Sequence, residues 1–173
     1  GKEGTVDVEQ NENMEQEVVR GSDYSPDEAK ITLVKVADKP GVAAYIFGQL
    51  AEANINVDMI VQNVSEDGKS TDMTFTVPRG EFKRALSVIE GNSAKIGYKE
   101  LLSTSDVTKV SITGVGMRSH VGVARKMFET LAEKGINIQV ISTSEIKVSV
   151  LIAEEYTELA VRALHTAYGL DAE

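Results

Sequence analysis

One motif, Phe47-x-x-Leu50-Ala51-Glu52-x-x-Ile55-Asn56-Val57, organises the 173-residue chain because it occurs twice. It recurs as Phe128-x-x-Leu131-Ala132-Glu133-x-x-Ile136-Asn137-Ile138, an offset of 81 residues that Gly41-Val42-Ala43 and Gly122-Val123-Ala124 share. Arg84-Ala85-Leu86 and Arg162-Ala163-Leu164 match at an offset of 78, which indicates loops of different length. Repetition of this kind indicates a duplicated structural unit. The sequence therefore predicts two similar domains with a boundary near residues 103–107.

The first copy has the periodicity of a βαββαβ unit. Ala43, Ile46, Phe47 and Leu50 recur at the spacing of one helical face, and Met73, Phe75 and Val77 alternate as in a strand. Asp67-Gly68 is a strong hairpin signal. In chain order, the first predicted elements are a strand at 31–36, a helix that Asn54 closes and a strand through Val57, Met59 and Val61. A strand at 73–77, a helix at 82–89 and a strand at 94–102 follow.

The second copy follows the same order but lacks its last strand. Its predicted elements are strands at 107–115, 138–143 and 146–152 and helices near 121–134 and 154–168. A sheet with an open edge is a liability, and Glu17 to Arg20 is the strand-like stretch left to cover it. We therefore expect this stretch to pair into the second domain, so that the first domain is inserted into the second. Deleting residues 1–24 should then destabilise the second domain.

The predicted fold class is α+β, with two ferredoxin-like domains. Each has an antiparallel four-stranded sheet and two helices on one face. The predicted bounds are a disordered linker at 1–13, the contributed strand at 14–24, the first domain at 28–103 and the second at 105–170. Because the chain begins Gly1-Lys2-Glu3-Gly4 without methionine, we expect it to be an excised or tagged piece.

The composition excludes several classes of function. A net charge of −9 argues against broad binding to nucleic acid or to an anionic membrane. No stretch approaches the roughly 20 apolar residues of a membrane span. The chain has no cysteine, and its two histidines, His120 and His165, lie far apart, so we predict no metal site and no cofactor. A soluble cytoplasmic protein is expected.

The loop Asp38-Lys39-Pro40-Gly41 opens a helix and is a candidate ligand site. Free N–H groups at a helix start suit a carboxylate, and Gly41 allows close approach to the backbone. Asp38 or Asp58 would accept an ammonium group, while Gln62 and Asn63 would hydrogen-bond a polar side chain. Together these groups match a free amino acid. The alternative is that Asp38 only caps the helix.

Other motifs carry less chemistry. The Gly-x-Gly at Gly114 and Gly116 lacks the third glycine of a dinucleotide fingerprint, so it predicts a loop. His120 either lines a site or is exposed at the start of the first helix of the second copy. The stretch Ser142 to Glu145 is either a simple turn or a hydroxyl-rich edge at an interface. Because no serine, histidine and acid are grouped for nucleophilic catalysis, no catalytic residue is assigned.

Several stretches resemble the tandem ACT domains of aspartate kinases. The first ACT domain is matched by Asp38-Lys39-Pro40-Gly41-Val42-Ala43, by Asn56-Val57-Asp58-Met59-Ile60-Val61-Gln62-Asn63-Val64-Ser65 and by Asp72-Met73-Thr74-Phe75-Thr76-Val77-Pro78. The second is matched by Lys109 to Met117 and Asn137 to Ile146. Met14-Glu15-Gln16-Glu17 resembles the start of the separately translated β subunit of heterotetrameric members.

This resemblance implies a regulatory role without a catalytic domain in this chain. In the family, aspartate kinase phosphorylates the aspartate side chain with ATP, the first domain is inserted into the second, and the ACT pair dimerises. Threonine and lysine bind at the interfaces between chains. By motif, the effector contacts would be Asp38, Gly41, Val42, Ala43, Asn56, Asp58, Gln62, Asn137 and Ile138. A second effector site would be lined or supported by Ser65, Thr74, His120, Thr143 and Ser144.

The expected partners are a second copy of the chain, the catalytic domain or α subunit of aspartate kinase, and L-threonine, L-lysine or both. An alternative is an independent ACT-type amino-acid sensor that regulates another enzyme through protein contacts. It predicts no association with a kinase domain. A small enzyme with ferredoxin-like halves would need a clustered catalytic set, which the sequence does not provide.

Overall fold

The computed structural model describes residues 19–114 and 120–170, and the side chains of Arg20 and His120 are not described. The chain divides into two compact units. The first unit is Asp27–Val107, and the second combines the chain from Thr108 onward with the segment that ends at Pro26. The predicted linker at 1–13, together with Glu17 and Val18 of the predicted contributed strand, lies outside the described residues.

The first unit is built from the following elements: β1 (Val19–Ala37, in its part after Pro26), α1 (Val42–Glu52), β2 (Ile60–Val64), β3 (Ser70–Pro78), a 3-10 turn (Arg79–Glu81), α2 (Phe82–Gly91), α3 (Ser93–Ile96) and β4 (Glu100–Gly114, in its part up to Val107). Its strands lie in the order β2-β3-β1-β4. Both β1 and β2 pair antiparallel with β3, so β2 is an edge strand.

The core of the first unit lies between the sheet and the helices. Fully buried Ile31, Phe75 and Val77 from the strands pack with Ile46 and Ile89 from the helices. Apolar side chains alternate along β3 because successive residues of a strand face opposite sides. Burying each large aliphatic side chain contributes about 1.5–3 kcal/mol to the stability of the folded state. Apolar residues therefore occupy the buried positions regularly, and their spacing predicts the helices and strands.

The second unit contains the first part of β1, the rest of β4, α4 (His120–Glu133), β5 (Val140–Thr143), β6 (Lys147–Ala153), a 3-10 turn (Glu154–Tyr156) and α5 (Thr157–Ala167). Its strands lie in the order β1-β4-β6-β5, and β5 pairs antiparallel with β6. Its core includes Ile112, Met127, Leu131, Ile152 and Leu164, and Val19 of β1 packs against it. The predicted α+β class with two antiparallel ferredoxin-like units is confirmed.

Two local predictions were wrong. Residues 93–96 form the short helix α3 rather than the start of a strand, since Gly97, with φ of 76°, ends a helical turn there. The second strand begins at Ile60, after Val57 and Met59, although Met59 already exchanges hydrogen bonds with Thr76. The prediction that Asn54 closes the first helix is confirmed. The last helical residue is Glu52, and Asn54 has a left-handed φ of 60°. Its N–H donates to the carbonyl of Ala51 at 2.9 Å, while the Ile55 N–H donates to that of Leu50 at 3.0 Å, which is a common way for a helix to end.

Candidate effector-binding surface

The loop between β1 and α1 ends on a glycine that begins the helix. Gly41 is the N-cap residue of α1, with a φ of 88° that side chains with a Cβ rarely adopt. Its carbonyl accepts the Tyr45 N–H at 2.9 Å, the first bond of the helix. Among the described residues, the backbone hydrogen bonds at this helix start include none donated by the N–H groups of Ala43 and Ala44, which lie in the first turn. These groups and the positive end of the helix dipole suit a carboxylate.

Asp38 does not cap this helix. The N-cap position belongs to Gly41, and α1 has no side-chain cap hydrogen bond. The Asp38 side chain is exposed, and its backbone N–H donates to the carbonyl of Lys69 at 3.0 Å, which ties the loop to the hairpin of the same unit. The capping alternative is therefore wrong, and the exposed Asp38 carboxylate can accept an ammonium group.

The effector loop, residues 38–41, is open to solvent. Asp38, Lys39, Pro40 and Gly41 are all exposed, and a Cβ built on Gly41 would meet no atom within 4 Å. Val42 is half-buried against the first core and Ala43 is exposed. A small ligand can thus approach the backbone here without displacing another part of the unit.

Strand β2 presents polar and apolar side chains on a free edge. Gln62 pairs in register with Met73, so it lies on the face of the sheet that carries α1. Asn63 pairs with Asp72 and lies on the opposite face. Of these two amides, Gln62 is therefore the one that shares a face with the effector loop. Both side chains are exposed and open to a ligand.

Asn56 and Asp58 lie in the segment that leads into β2. Asn56 is exposed and lines a groove of about 260 Å³ together with Phe47, Ala51, Asn54, Ile55, Val57 and Ile60. The Asp58 side chain is exposed, and its backbone N–H donates to the carbonyl of Thr76 at 3.0 Å. The structure therefore holds this segment against β3 while leaving both side chains accessible.

Ser65 and Thr74 are already engaged within the first unit. The Ser65 hydroxyl donates to Asp67 Oδ1 at 2.6 Å and accepts the Ser70 N–H at 3.2 Å. These bonds, with that from the Lys69 N–H, hold the pKa of Asp67 below its usual value by stabilising the carboxylate. Thr74 Oγ1 lies 2.9 Å from Thr32 Oγ1 across the sheet. Both residues support the strands next to the site.

The candidates in the second unit occupy corresponding places. Asn137, Thr143 and Ser144 are exposed, and Ile138 is half-buried against the second core. The Ser144 N–H donates to the carbonyl of Lys147 at 2.8 Å, so the turn lies at 144–146 and Ser142 and Thr143 belong to β5. His120 begins α4, but its side chain is outside the described part of the chain.

The sequence did not indicate the exposed apolar side chains of the two edge strands. Ile60, Val61 and Val64 on β2 are 52%, 36% and 49% exposed. In the second unit, Ile141 on β5 and Ile146 in the turn before β6 are also exposed. The exposure of the three residues on β2 follows from the position of this strand at the edge of the sheet.

The described residues contain no group of three or more histidine or acidic side chains that could hold a metal ion. In the same residues, no helix is long and apolar enough to cross a membrane.

Comparisons with known proteins identify the family. A profile described as the ACT domain matches residues 31–92 and 110–168. An aspartate kinase of Stutzerimonas stutzeri is 55% identical over 167 residues, which is 96% of this chain and 40% of that protein. The chain thus spans about 40% of the length of this curated relative.

Two solved structures are similar along nearly their whole chains. One, from a structure of aspartokinase alpha and beta subunits, is 54% identical with a TM-score of 0.82, covering 87% of this chain and 99% of that one. The ligand-free regulatory subunit of aspartate kinase from Thermus thermophilus is 43% identical with a TM-score of 0.81, covering 87% and 98%. The chain belongs to the ACT domain family, in the tandem form found in the regulatory part of aspartate kinases.

Proposed function

We propose that this chain binds L-threonine, L-lysine or both, and that binding inhibits an aspartate kinase catalytic domain or α subunit. The chain would act by feedback on the biosynthesis of the aspartate family of amino acids. It would contribute no catalytic residue itself. The observation that carries the proposal is the exposed effector loop. It places the start of helix α1 next to the exposed Asp38 carboxylate, and the Gln62 amide on the edge strand is exposed as well.

The chemistry of the loop fits a free amino acid. The N–H groups of Ala43 and Ala44 would receive the α-carboxylate, and the Asp38 carboxylate would receive the ammonium group. Gln62, on the same sheet face as α1, would hydrogen-bond the effector side chain. A threonine hydroxyl needs such a polar partner, because burying it without one costs about 1–3 kcal/mol.

The edge strand favours a second copy of the chain as the structural partner. Ile60, Val61 and Val64 leave apolar surface exposed on β2, which is the edge strand of the described sheet, and an exposed apolar edge promotes pairing with another chain. Asn137 and Ile138 of the second copy's second unit would then complete the site, as the family resemblance implies. An effector that binds between two chains stabilises the dimer that it bridges.

Similarity to a chain from a structure of aspartokinase alpha and beta subunits supports the catalytic partner. The effector changes activity only if it binds the inhibited arrangement more tightly than the active one. A coupling of about 1–3 kcal/mol would change affinity roughly 5- to 150-fold. That range is enough for feedback control without any large change in the fold.

Isothermal titration of the purified chain with L-threonine and L-lysine, separately and together, tests the proposal. We expect heat with threonine that Gln62→Ala reduces by more than about tenfold in affinity, because the substitution removes the contact to the effector side chain. Gln49→Ala on α1 is the matched control and should bind as the wild type does. Heat with lysine only after threonine would show concerted regulation, and no heat with either would contradict the proposal.

A further inference from the structure

Strand β1 contains a β-bulge three residues before the effector loop. Leu33 pairs with Met73 and Val36 pairs with Thr71, so the register shifts between them. Two residues of β1, Val34 and Lys35, therefore lie opposite Asp72 of β3. An extra residue of this kind bends its strand and increases the local twist.

The bulge sets the direction of the side chains that follow it. Leu33 and Val36 are both fully buried in the first core, although residues three apart in a regular strand face opposite sides. Without the extra residue, Val36 would leave the core, and each residue after it would reverse its orientation. The residues that reverse would include Ala37 and Asp38, which open the effector loop.

Lys35 adopts a backbone conformation that its side chain disfavours. Its φ is 56°, in the left-handed region that residues with a Cβ seldom occupy. The Lys35 N–H donates to Asp72 Oδ1 at 2.9 Å. A carboxylate is a stronger acceptor than a neutral carbonyl. The Asp72 side chain therefore holds the strained residue in place.

Asp72 also lies between the two parts of the candidate site. On one side it pairs in register with Asn63, the neighbour of Gln62 on the edge strand. On the other side it holds Lys35, and the Asp38 N–H donates to the carbonyl of Lys69 in the same hairpin. One half-buried carboxylate thus connects the edge strand to the strand that enters the effector loop.

We infer that Asp72 is a positioning residue for effector recognition. It does not contact the amino acid. By accepting the Lys35 N–H it fixes the bulge, and the bulge fixes the loop at 38–41 and the first turn of α1. This inference rests on the proposed function for its effect on affinity, while its effect on the loop can be measured without any ligand.

Four variants separate positioning from charge and from loss of fold. Asp72→Ala removes the acceptor, and Asp72→Asn removes the charge but keeps an oxygen that can accept the Lys35 N–H. Lys35→Gly, added to Asp72→Ala, relieves the strain because glycine adopts a positive φ freely. Glu90→Ala removes one exposed carboxylate from α2 of the same unit and is the charge-matched control.

Hydrogen exchange of the amides at 36–44 and threonine titration are measured on all four. Asp72→Ala should speed exchange at these amides and weaken threonine binding about tenfold, a change of about 1.4 kcal/mol. Asp72→Asn should stay within about threefold of the wild type, and Glu90→Ala should match it. The double variant should recover most of the lost affinity, a rescue that general destabilisation would not produce.

Unchanged exchange at 36–44 in Asp72→Ala would overturn the inference whether or not a ligand binds. Faster exchange with unchanged threonine affinity would also overturn it, since the bulge would then be structural only. If Asp72→Ala does not fold, the Asp72→Ala/Lys35→Gly variant is compared with Lys35→Gly alone. Equal threonine affinity of these two variants, together with normal binding by Asp72→Asn, supports the inference. Wild-type protein that binds neither amino acid would refute the proposed function, leaving the exchange result to decide the role of Asp72 in the loop.

Discussion

The two units place the same kind of hydroxyl pair at the centre of their sheets, but bury it to different degrees. In the first unit, Thr32 and Thr74 lie 2.9 Å apart and are half-buried. In the second, Ser111 and Ser149 lie 2.7 Å apart and are buried. If one hydroxyl of an accessible pair is removed, water can hydrogen-bond to the other. In a buried pair, each hydroxyl needs a hydrogen-bond partner from the protein.

The difference originates in the third strand of each unit. Strand β3 alternates apolar residues with threonine, and Asp72 and Thr74 on its face away from the helices remain half-buried. In β6, each residue from Val148 to Ile152 is buried, including Leu151 and Ser149 on the second face. The two units therefore differ: the face of β3 away from the helices is accessible at Asp72 and Thr74 and buried at Thr76, whereas β6 is covered on both faces from Val148 to Ile152.

Replacing Leu151 should give the largest effect. Leu151→Ala removes a fully buried side chain and should lower the free energy of unfolding by about 2–5 kcal/mol. Thr76 is its counterpart in β3, and Thr76→Ala should cost only about 1–2 kcal/mol, mainly through the lost bond from the Met59 N–H. Denaturant unfolding followed by circular dichroism measures both. Equal losses would contradict the asymmetry.

The hydroxyl pairs themselves give the next effect. Ser111→Ala leaves the buried Ser149 hydroxyl without its partner and should cost about 1–3 kcal/mol. Thr32→Ser keeps the hydroxyl of the half-buried pair and should cost less than about 1 kcal/mol. Thermal unfolding of both variants tests this. If the Ser149 hydroxyl is unsatisfied in Ser111→Ala, removing it as well should not lower stability further. A Ser111→Ala/Ser149→Ala variant that is less stable than Ser111→Ala would contradict this explanation.

The hairpin of the first unit should make its stability sensitive to acid. Because the pKa of Asp67 is lowered from its usual 3.8, the unfolded state takes up the proton first, and stability is lost as the pH falls through the folded-state pKa. Asp67→Asn should reduce the loss of stability as the pH falls below about 4. Unfolding measured across this range provides the check. An unchanged acid profile would show that the carboxylate contributes nothing.

The smallest effect is expected at the bulge. Lys35→Gly relieves the cost of a positive φ but increases the freedom of the unfolded chain, so stability should change by less than about 1 kcal/mol. A loss above about 2 kcal/mol would mean that the lysine side chain, rather than the backbone, stabilises this strand. Denaturant unfolding of the variant against the wild type resolves the two cases.

Much of the fold could be predicted because burial follows local periodicity. The repeated motif predicted two units, and the helical stripe through Ile46 and Leu50 predicted α1. The length of β1 could not be predicted, since Ser25-Pro26-Asp27 is a typical turn sequence and is extended here within a 19-residue strand. Strand pairing over long sequence separations overrides the local preference.

The candidate site shows the same limit. Gly41 could be singled out because glycine tolerates a positive φ at a turn, and Asp38 because a carboxylate in the loop before a helix is a local feature of the sequence. Asp72 was missed as a positioning residue because its role depends on the register of β1 against β3, which no single stretch of sequence contains. The exposure of Ile60 and Val64 likewise depends on which strand lies at the edge.

The central claim is that the effector loop and the edge strand of the first unit recognise an amino acid. Backbone amide NMR spectra recorded during titration with L-threonine test it most directly. The account predicts that the largest shifts occur at Asp38, Gly41 to Ala44 and Gln62, with smaller changes at Asn137 and Ile138. Shifts confined to other parts of the chain, or none at saturating threonine and lysine, would contradict it.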